Sequence, residues 1–312
     1  MKEKNQSTQQ LTYLRNHEIN LVKWDNCINN AHNGSIYAFS WYLDIISDEW
    51  TAIIRDDYGA VMPLMHRKKA GIAYLAPSPF ANQLGVFSTE IMDEEMVNQF
   101  LRKTYHHYKL FTIHLNKFNK IDPGLFHQRE RSTYEFDLIR SHGVMQENYS
   151  NQVQLDLNIA REKEVTIIPG ITPNQFIDFL SEKDAITPGK LNKDQVFRLR
   201  KIMAFVLKHG LGDIYAAYTR ENNLCAAILF LRSNRKINLL YSAVSREGIE
   251  NKALEMLMDQ YIKQHAEKNL TLNFENLAHP EKEKVCEGFG GREYHYTAIS
   301  DRKHSFVRKI FS

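Results

Sequence analysis

Residues 51–55 alternate and are β-rich, and Asp56, Asp57, Tyr58 and Gly59 then make a turn before the strand resumes over 60–65. Strand-like runs on either side of a cluster of turn formers predict a hairpin. A second turn at 68–71 and a further β-rich run at 72–76 extend it to a meander of three antiparallel strands. Residues 93–108 carry apolar positions at helical spacing, with Asp93 placed to cap the helix before Glu94 and Glu95. A short apolar strand follows at 110–115. Asp122-Pro123-Gly124 breaks the chain, and 132–139 reads as another strand.

The same succession returns in the second half. Strands are predicted at 213–219, 224–231 and 236–244, separated by turns at 221–223 and at Ser233-Asn234. Gly248 precedes a helix predicted over 250–267. A strand at 270–275, a short helix begun by Pro280 and ended by the glycine-rich 288–291, and a strand at 292–299 complete the series. Leu110 and Tyr134 are as far apart as Leu270 and Tyr294. The repeated order predicts an α/β (α+β) chain of two tandem modules, 1–148 and 149–312, each a mixed, mostly antiparallel sheet flanked by helices. Residues 35–46 form a helical lead-in to the first meander. Ahead of the second, 141–163 has weak periodicity and 171–210 reads as two helices. Thr172-Pro173 is a helix start, Val196, Leu199, Ile202, Met203 and Val206 form an apolar stripe, and Gly210 is placed to end the second helix.

Composition narrows the class. The chain has 312 residues, 43% hydrophobic and 25% charged, enough to bury two cores without disulfides or metals. Its three cysteines, Cys27, Cys225 and Cys286, are scattered and form no CxxC pair, which fits a reducing, cytoplasmic setting. The opening MKEKNQSTQQ is polar and lacks the apolar segment of a signal peptide. The longest apolar run, 224–231, is too short to span a bilayer. A net charge of +3 does not single out nucleic acid as a partner. The basic 302–309 reads as a solvated tail, with a patch for an anionic partner as the second reading. No HxxxH or HExxH spacing occurs among the thirteen histidines, and no metal is expected.

Candidate chemistry concentrates in YSAVSREGIEN, 241–251, where a strand passes through a turn into a helix. Converging N–H groups and the helix dipole would suit an anion, with Ser245, Arg246, Gly248 and Asn251 as its contacts. The same pattern also serves as a plain strand–helix turn, and both readings stand. Glu275, at the end of an apolar strand, is placed either as a general base for an amine nucleophile or as a structural carboxylate. Cys286 reads as a buried structural thiol. Tyr37, Trp41 and Tyr42 make an aromatic stripe, read as core or as the wall of an acceptor cleft between the modules. Tyr149, Tyr241, Asn82 and Gln83, the last two in the loop 77–85, could line the same cleft, which the strand ends at Tyr241 and Glu275 are expected to open onto.

Strand, RxxGxx turn (Arg246, Gly248), long helix and strand resemble the core of the GNAT acyltransferase superfamily. Leu272-Asn273-Phe274-Glu275 followed by Gly288-Phe289-Gly290-Gly291 is similar to the end of the Fem-type peptidoglycan aminoacyl transferases, which have two tandem GNAT-like modules. Tyr149-Ser150-Asn151 looks like that family's entry helix. Ser40-Trp41-Tyr42-Leu43-Asp44 and Gln83-Leu84-Gly85 resemble further members of the group. The resemblance implies transfer of an acyl or aminoacyl group onto the amine of a small molecule or peptide, from acyl coenzyme A or from a charged tRNA. Glu250 stands where the GNAT turn has a second small residue, and Leu155 and Asp156 stand where the entry helix carries arginine. These departures favour the alternative, a non-catalytic small-molecule or peptide-binding protein that keeps the fold.

Overall fold

Residues 10–69 and 71–301 are described by a computed structural model; the polar segment at the start of the chain and the basic 302–309 lie outside them. Two compact units divide these residues. One ends at Arg131 and takes up the chain again from His295; the other is Ser132–Tyr294. The second unit thus begins ahead of residue 149, and the final strand changes unit partway along its length.

In the first unit, β1 (Leu11–Leu14) leads to helix α1 (Leu21–Asn30), which buries Trp24, Cys27 and Ile28. A 3₁₀ turn, Ile36–Ala38, and helix α2 (Ser40–Ile46) follow. The expected single lead-in helix is broken at Phe39, whose ψ of 144° is extended. The meander forms as its alternation predicts: β2 (Trp50–Arg55), β3 (Ala60–Lys69) and β4 (Ile72–Leu75) pair antiparallel in sequence. The short β5 (Phe87–Ser88) pairs with β3, and β1 with β2. Helix α3 (Glu94–His107) is capped by Asp93, whose carboxylate accepts the Met96 N–H at 2.8 Å. It lays Val97, Phe100 and Leu101 on the sheet and delivers the chain to β6 (Thr112–His114). Leu75 and Phe111 form a parallel bridge just ahead of β6.

The second unit begins within β7 (His127–Asp137), from Ser132 on, and continues with α4 (His142–Gln146), α5 (Asn151–Glu162), β8 (Thr166–Pro169), α6 (Pro173–Leu180) and α7 (Lys193–Lys208). Its meander is β9 (Gly212–Tyr218), β10 (Leu224–Ser233) and β11 (Lys236–Val244). The predicted helix over 250–267 is two helices, α8 (Arg246–Glu250) and α9 (Ala253–His265), parted by Lys252 in the left-handed conformation, φ 57°. Then come β12 (Thr271–Asn273), α10 (Lys282–Gly288) and β13 (Arg292–Ser300). Within this unit the strand order is β7-β12-β11-β10-β9-β8, antiparallel except for β11 with β12.

One face of this sheet packs under α9. Leu272 and Phe274 alternate inward against Leu254, Leu257, Met258 and Tyr261. Full burial of a side chain such as Phe274 contributes roughly 2–3 kcal/mol. Each meander is thus followed by a helix and then a strand, the order the sequence repeats.

Candidate functional site

The site grows out of the parting of two parallel strands. Pairing of β11 with β12 is confined to three positions, Lys236 with Thr271, Ile237 with Leu272 and Asn238 with Asn273. Beyond Asn238, β11 runs on to Val244 while the other chain turns away after Phe274. A bulge at Leu240 lies in the same stretch, because Leu229 pairs with Tyr241 and Phe230 with Leu239. A strand bulge re-aims the residues around it, and such irregularities gather beside functional sites.

Glu275 stands at this parting, 7% exposed. Asn273 Nδ2 lies 3.5 Å from its Oε1 and donates to the Tyr294 hydroxyl at 2.6 Å. Thr133 donates to the Asn273 side-chain oxygen at 3.3 Å. Lys282 Nζ donates to the main-chain carbonyl of Glu275 at 2.5 Å. Burial lowers the Lys282 pKa, and the Cys286 thiol and the Glu275 carboxylate oppose that fall. A carboxylate held out of water at a strand end, with an ammonium beside its main chain, is the chemistry of an acid–base group or of a buried ion-pair network.

Side chains absent from the sequence reading bridge the parting. Asn276 donates to the Leu240 carbonyl at 2.8 Å. Ser242 Oγ donates to the Asn276 carbonyl at 2.9 Å and accepts the Ala278 N–H at 2.7 Å. Farther along the same edge, Ile186 and Val244 exchange two main-chain hydrogen bonds, 2.7 and 3.0 Å. Deeper still, His279 Nε2 lies 3.4 Å from Glu255 Oε1, both side chains almost fully buried, and His279 Nδ1 accepts the Glu281 N–H at 3.0 Å. The tautomer with hydrogen on Nε2 follows, directed at Glu255.

The turn expected to cradle an anion is differently built. Ser245 caps α8, its Oγ accepting the Gly248 N–H at 3.0 Å. Ile249 donates to the Ser245 carbonyl and Asn251 to that of Glu247, at 3.0 and 2.9 Å. The amides of Gly248 and Asn251, expected to be open, are therefore engaged, because the turn is a helix and not a loop. Gly248 is buried, and a Cβ added there would lie 2.1 Å from the Cys225 carbonyl oxygen. A glycine is needed here for the close approach of α8 to β10. Arg246 projects from the same turn and is exposed, as is Glu250.

The remaining expected residues are distributed as follows. Tyr37 and Tyr42 are buried in the first unit, their rings 5.6 Å apart, and Tyr42 donates its hydroxyl to the Phe80 carbonyl at 2.6 Å. They belong to separate helical turns, so the expected continuous stripe is interrupted. Trp41 is half-buried with its edge on Tyr42, and Gln83 is buried. In the second unit Tyr241 is buried and its hydroxyl donates to the Gly189 carbonyl. The Tyr149 ring packs edge-on against Phe289 at 4.9 Å. Its buried hydroxyl lies beside the Asp259 carboxylate without reaching a hydrogen bond, and burial followed by that charge raises the phenol pKa. Asp259 instead receives His142 at 2.8 Å. Leu155 is exposed, whereas Asp156 is buried and pairs with Lys252 at 3.2 Å, tying α5 to the start of α9. Cys286 is buried and free, its thiol pushed up to about 12 by burial.

The chain has the Fem-type, GNAT-like fold. FemX superposes with a TM-score of 0.60 over 97% of this chain and 100% of that one, at 11% identity. L-PGS from Bacillus licheniformis gives 0.52 over 93% of this chain and 94% of its own, at 12% identity. A conserved protein of unknown function from Bacteroides thetaiotaomicron VPI-5482 gives 0.52 over 91% and 98%, also at 12% identity. At such identities the likeness carries the fold and not the activity. No protein-family model and no curated protein matches the sequence. Among the described residues no helix is long and apolar enough to cross a membrane.

Proposed function

We propose that the chain is an N-acyl or aminoacyl transferase that moves an activated acyl group onto the amine of a small molecule or peptide. The observation that carries this reading is the parting of β11 from β12 with the buried Glu275 at its mouth. In the reaction, the acceptor nitrogen forms a bond to the acyl carbon and gives up a proton to Glu275. The bond from that carbon to the donor's sulfur or ribose oxygen breaks, and the leaving group departs with a proton. Main-chain N–H groups along the β11 edge stabilise the oxyanion between these events. The donor is acyl coenzyme A or an aminoacyl-tRNA. Its anionic part rests against Arg246, on the turn whose shape Ser245, Gly248 and Asn251 fix. The acceptor is walled by Tyr241 and Tyr149 of the second unit. The expected modules, 1–148 and 149–312, belong to the same proposal as the products of one duplication.

A second reading, a binding protein that keeps the fold without the chemistry, is favoured by one observation. The Gly248 and Asn251 amides are already paired. The two readings part in a transfer assay. Acetyl coenzyme A and charged tRNA are each incubated with the protein and a panel of amines, and the amines are weighed by mass spectrometry. Acyl mass on an amine supports the transferase. Saturable binding by calorimetry with no transfer from either donor rejects it in favour of the second reading.

A further inference from the structure

A groove of about 500 Å³ lies in the second unit, outside the residues assigned above to the donor. Its walls include Asp137 at the end of β7, Arg140 beyond it, and Arg292, Glu293 and Tyr294 at the start of β13. The four charged residues are exposed, and among the described residues they form no ion pair with one another or with any other side chain. Two guanidinium groups and the carboxylates of Asp137 and Glu293 thus face one space without an ion-pair partner, beside a third carboxylate, Glu135; Asp137 Oδ1 also accepts the Ile139 N–H at 2.9 Å. A simple anion entering it would meet the carboxylates, and a simple cation would meet the arginines. A ligand carrying both charges satisfies both sets.

The groove is also wired to the candidate base. Asp137 pairs with Thr271 and Glu135 with Asn273 in the antiparallel register of β7 and β12, so these residues share one face of the sheet. Glu135 and Thr271 line the groove with Asp137. Asn273, next on that face, donates to the Tyr294 hydroxyl in the groove wall and reaches Glu275 Oε1. One amide side chain therefore joins the wall of the groove to the buried carboxylate.

We propose that this groove binds a zwitterion, a free α-amino acid or short peptide, with its carboxylate on Arg140 and Arg292 and its ammonium on Asp137 and Glu293. The ligand's role as acyl acceptor rests on the transferase reading; its binding does not. The test titrates the full chain with alanyl-alanine, N-acetyl-alanyl-alanine and alanyl-alanine amide, following main-chain amide shifts. Alanyl-alanine should move the amides of Thr271, Gly290 and Arg292. Each blocked form should bind at least about tenfold more weakly, the loss of a charge-assisted contact. In the double variant Arg140→Ala/Arg292→Ala, made at exposed positions and checked by an unchanged melting temperature, the free dipeptide and its amide should bind alike. Equal affinity for all three probes in the native chain overturns the proposal, as does the absence of any shift in the groove at millimolar dipeptide. Transfer to other amines with a silent groove would remove the groove alone. Dipeptide binding without transfer would remove the transferase reading alone.

Discussion

Lys282 Nζ donates to the main-chain carbonyl of Glu275, which places an ammonium group against the residue proposed as the base. The bond fixes the main chain at the strand end and leaves the carboxylate to Asn273 and the surrounding polar groups. Glu275→Gln keeps the shape and removes the proton acceptor. With a transfer substrate in hand, turnover should fall by about 10²–10⁴, the usual loss for a general base. Circular dichroism and melting should stay close to those of the native protein. Full turnover in the folded variant assigns Glu275 a structural role.

Gly248 and the Cys225 carbonyl are packed too closely for any side chain to enter. In Gly248→Ala the new methyl would meet that oxygen and Val244 Cγ2, at 2.1 and 2.8 Å. Both neighbours belong to strands held in the sheet, so the helix must move. The expected cost is about 1–3 kcal/mol, typical of overpacking a tight contact, read as a lower urea midpoint with an unchanged slope. An unaltered midpoint would mean that α8 shifts freely over the sheet.

Legibility differed from element to element for physical reasons. The two meanders announced themselves because alternation and turn residues are local signals, and α3 because Asp93 and an apolar stripe coincide. Helix α1 went unread: its inward set is only Trp24, Cys27 and Ile28, set among Lys23, Asp25, Asn26 and Asn29. The short edge strands β1 and β8 lacked enough residues to show a period. Within the candidate site, Glu275 was found from its strand-end position. Ser242, Asn276, His279 and Glu255 were not, because their partners lie far along the chain and nothing local marks them. The sequence pattern alone offers Gly248 as a ligand contact in a turn; as part of a helix its lack of a side chain serves packing. The charged groove was invisible in sequence, since the end of β7 and the start of β13 are brought together by the sheet.

The buried hydroxyl of Tyr149 has lost its water and gained only the Asp259 carboxylate beside it, in a geometry too poor for a full hydrogen bond. Replacing it removes a desolvated polar group and leaves the ring's contact with Phe289 in place. Tyr149→Phe should therefore leave stability unchanged or raise it by about 1 kcal/mol. A clear fall in the melting temperature would show that the hydroxyl supports Asp259 in solution. Asp259→Ala should be harmful by comparison, because His142 would lose its carboxylate partner.

His114 gives the first unit a pH dependence of defined sign. Burial of the ring lowers its pKa from 6.5 to about 4, and the nearby Arg131 charge adds to the fall. A hydrogen bond to the Asn82 carbonyl, 3.1 Å from Nδ1, opposes it and sets the neutral tautomer with hydrogen on Nδ1. The unfolded chain takes up the proton near its ordinary value, so below pH 6.5 the unfolded state binds more protons than the folded one. The contribution is fully present above pH 6.5 and is lost as pH falls from 6.5 to about 4. Its size is at most about 3 kcal/mol, less for a ring that keeps some contact with water. In His114→Asn the amide can still donate to Asn82, but no proton is taken up. Chemical denaturation at pH 7 and pH 4.5 should therefore show a smaller loss of stability for the variant than for the native chain. Equal losses in the two proteins would mean that the imidazole titrates near its ordinary value in the folded state.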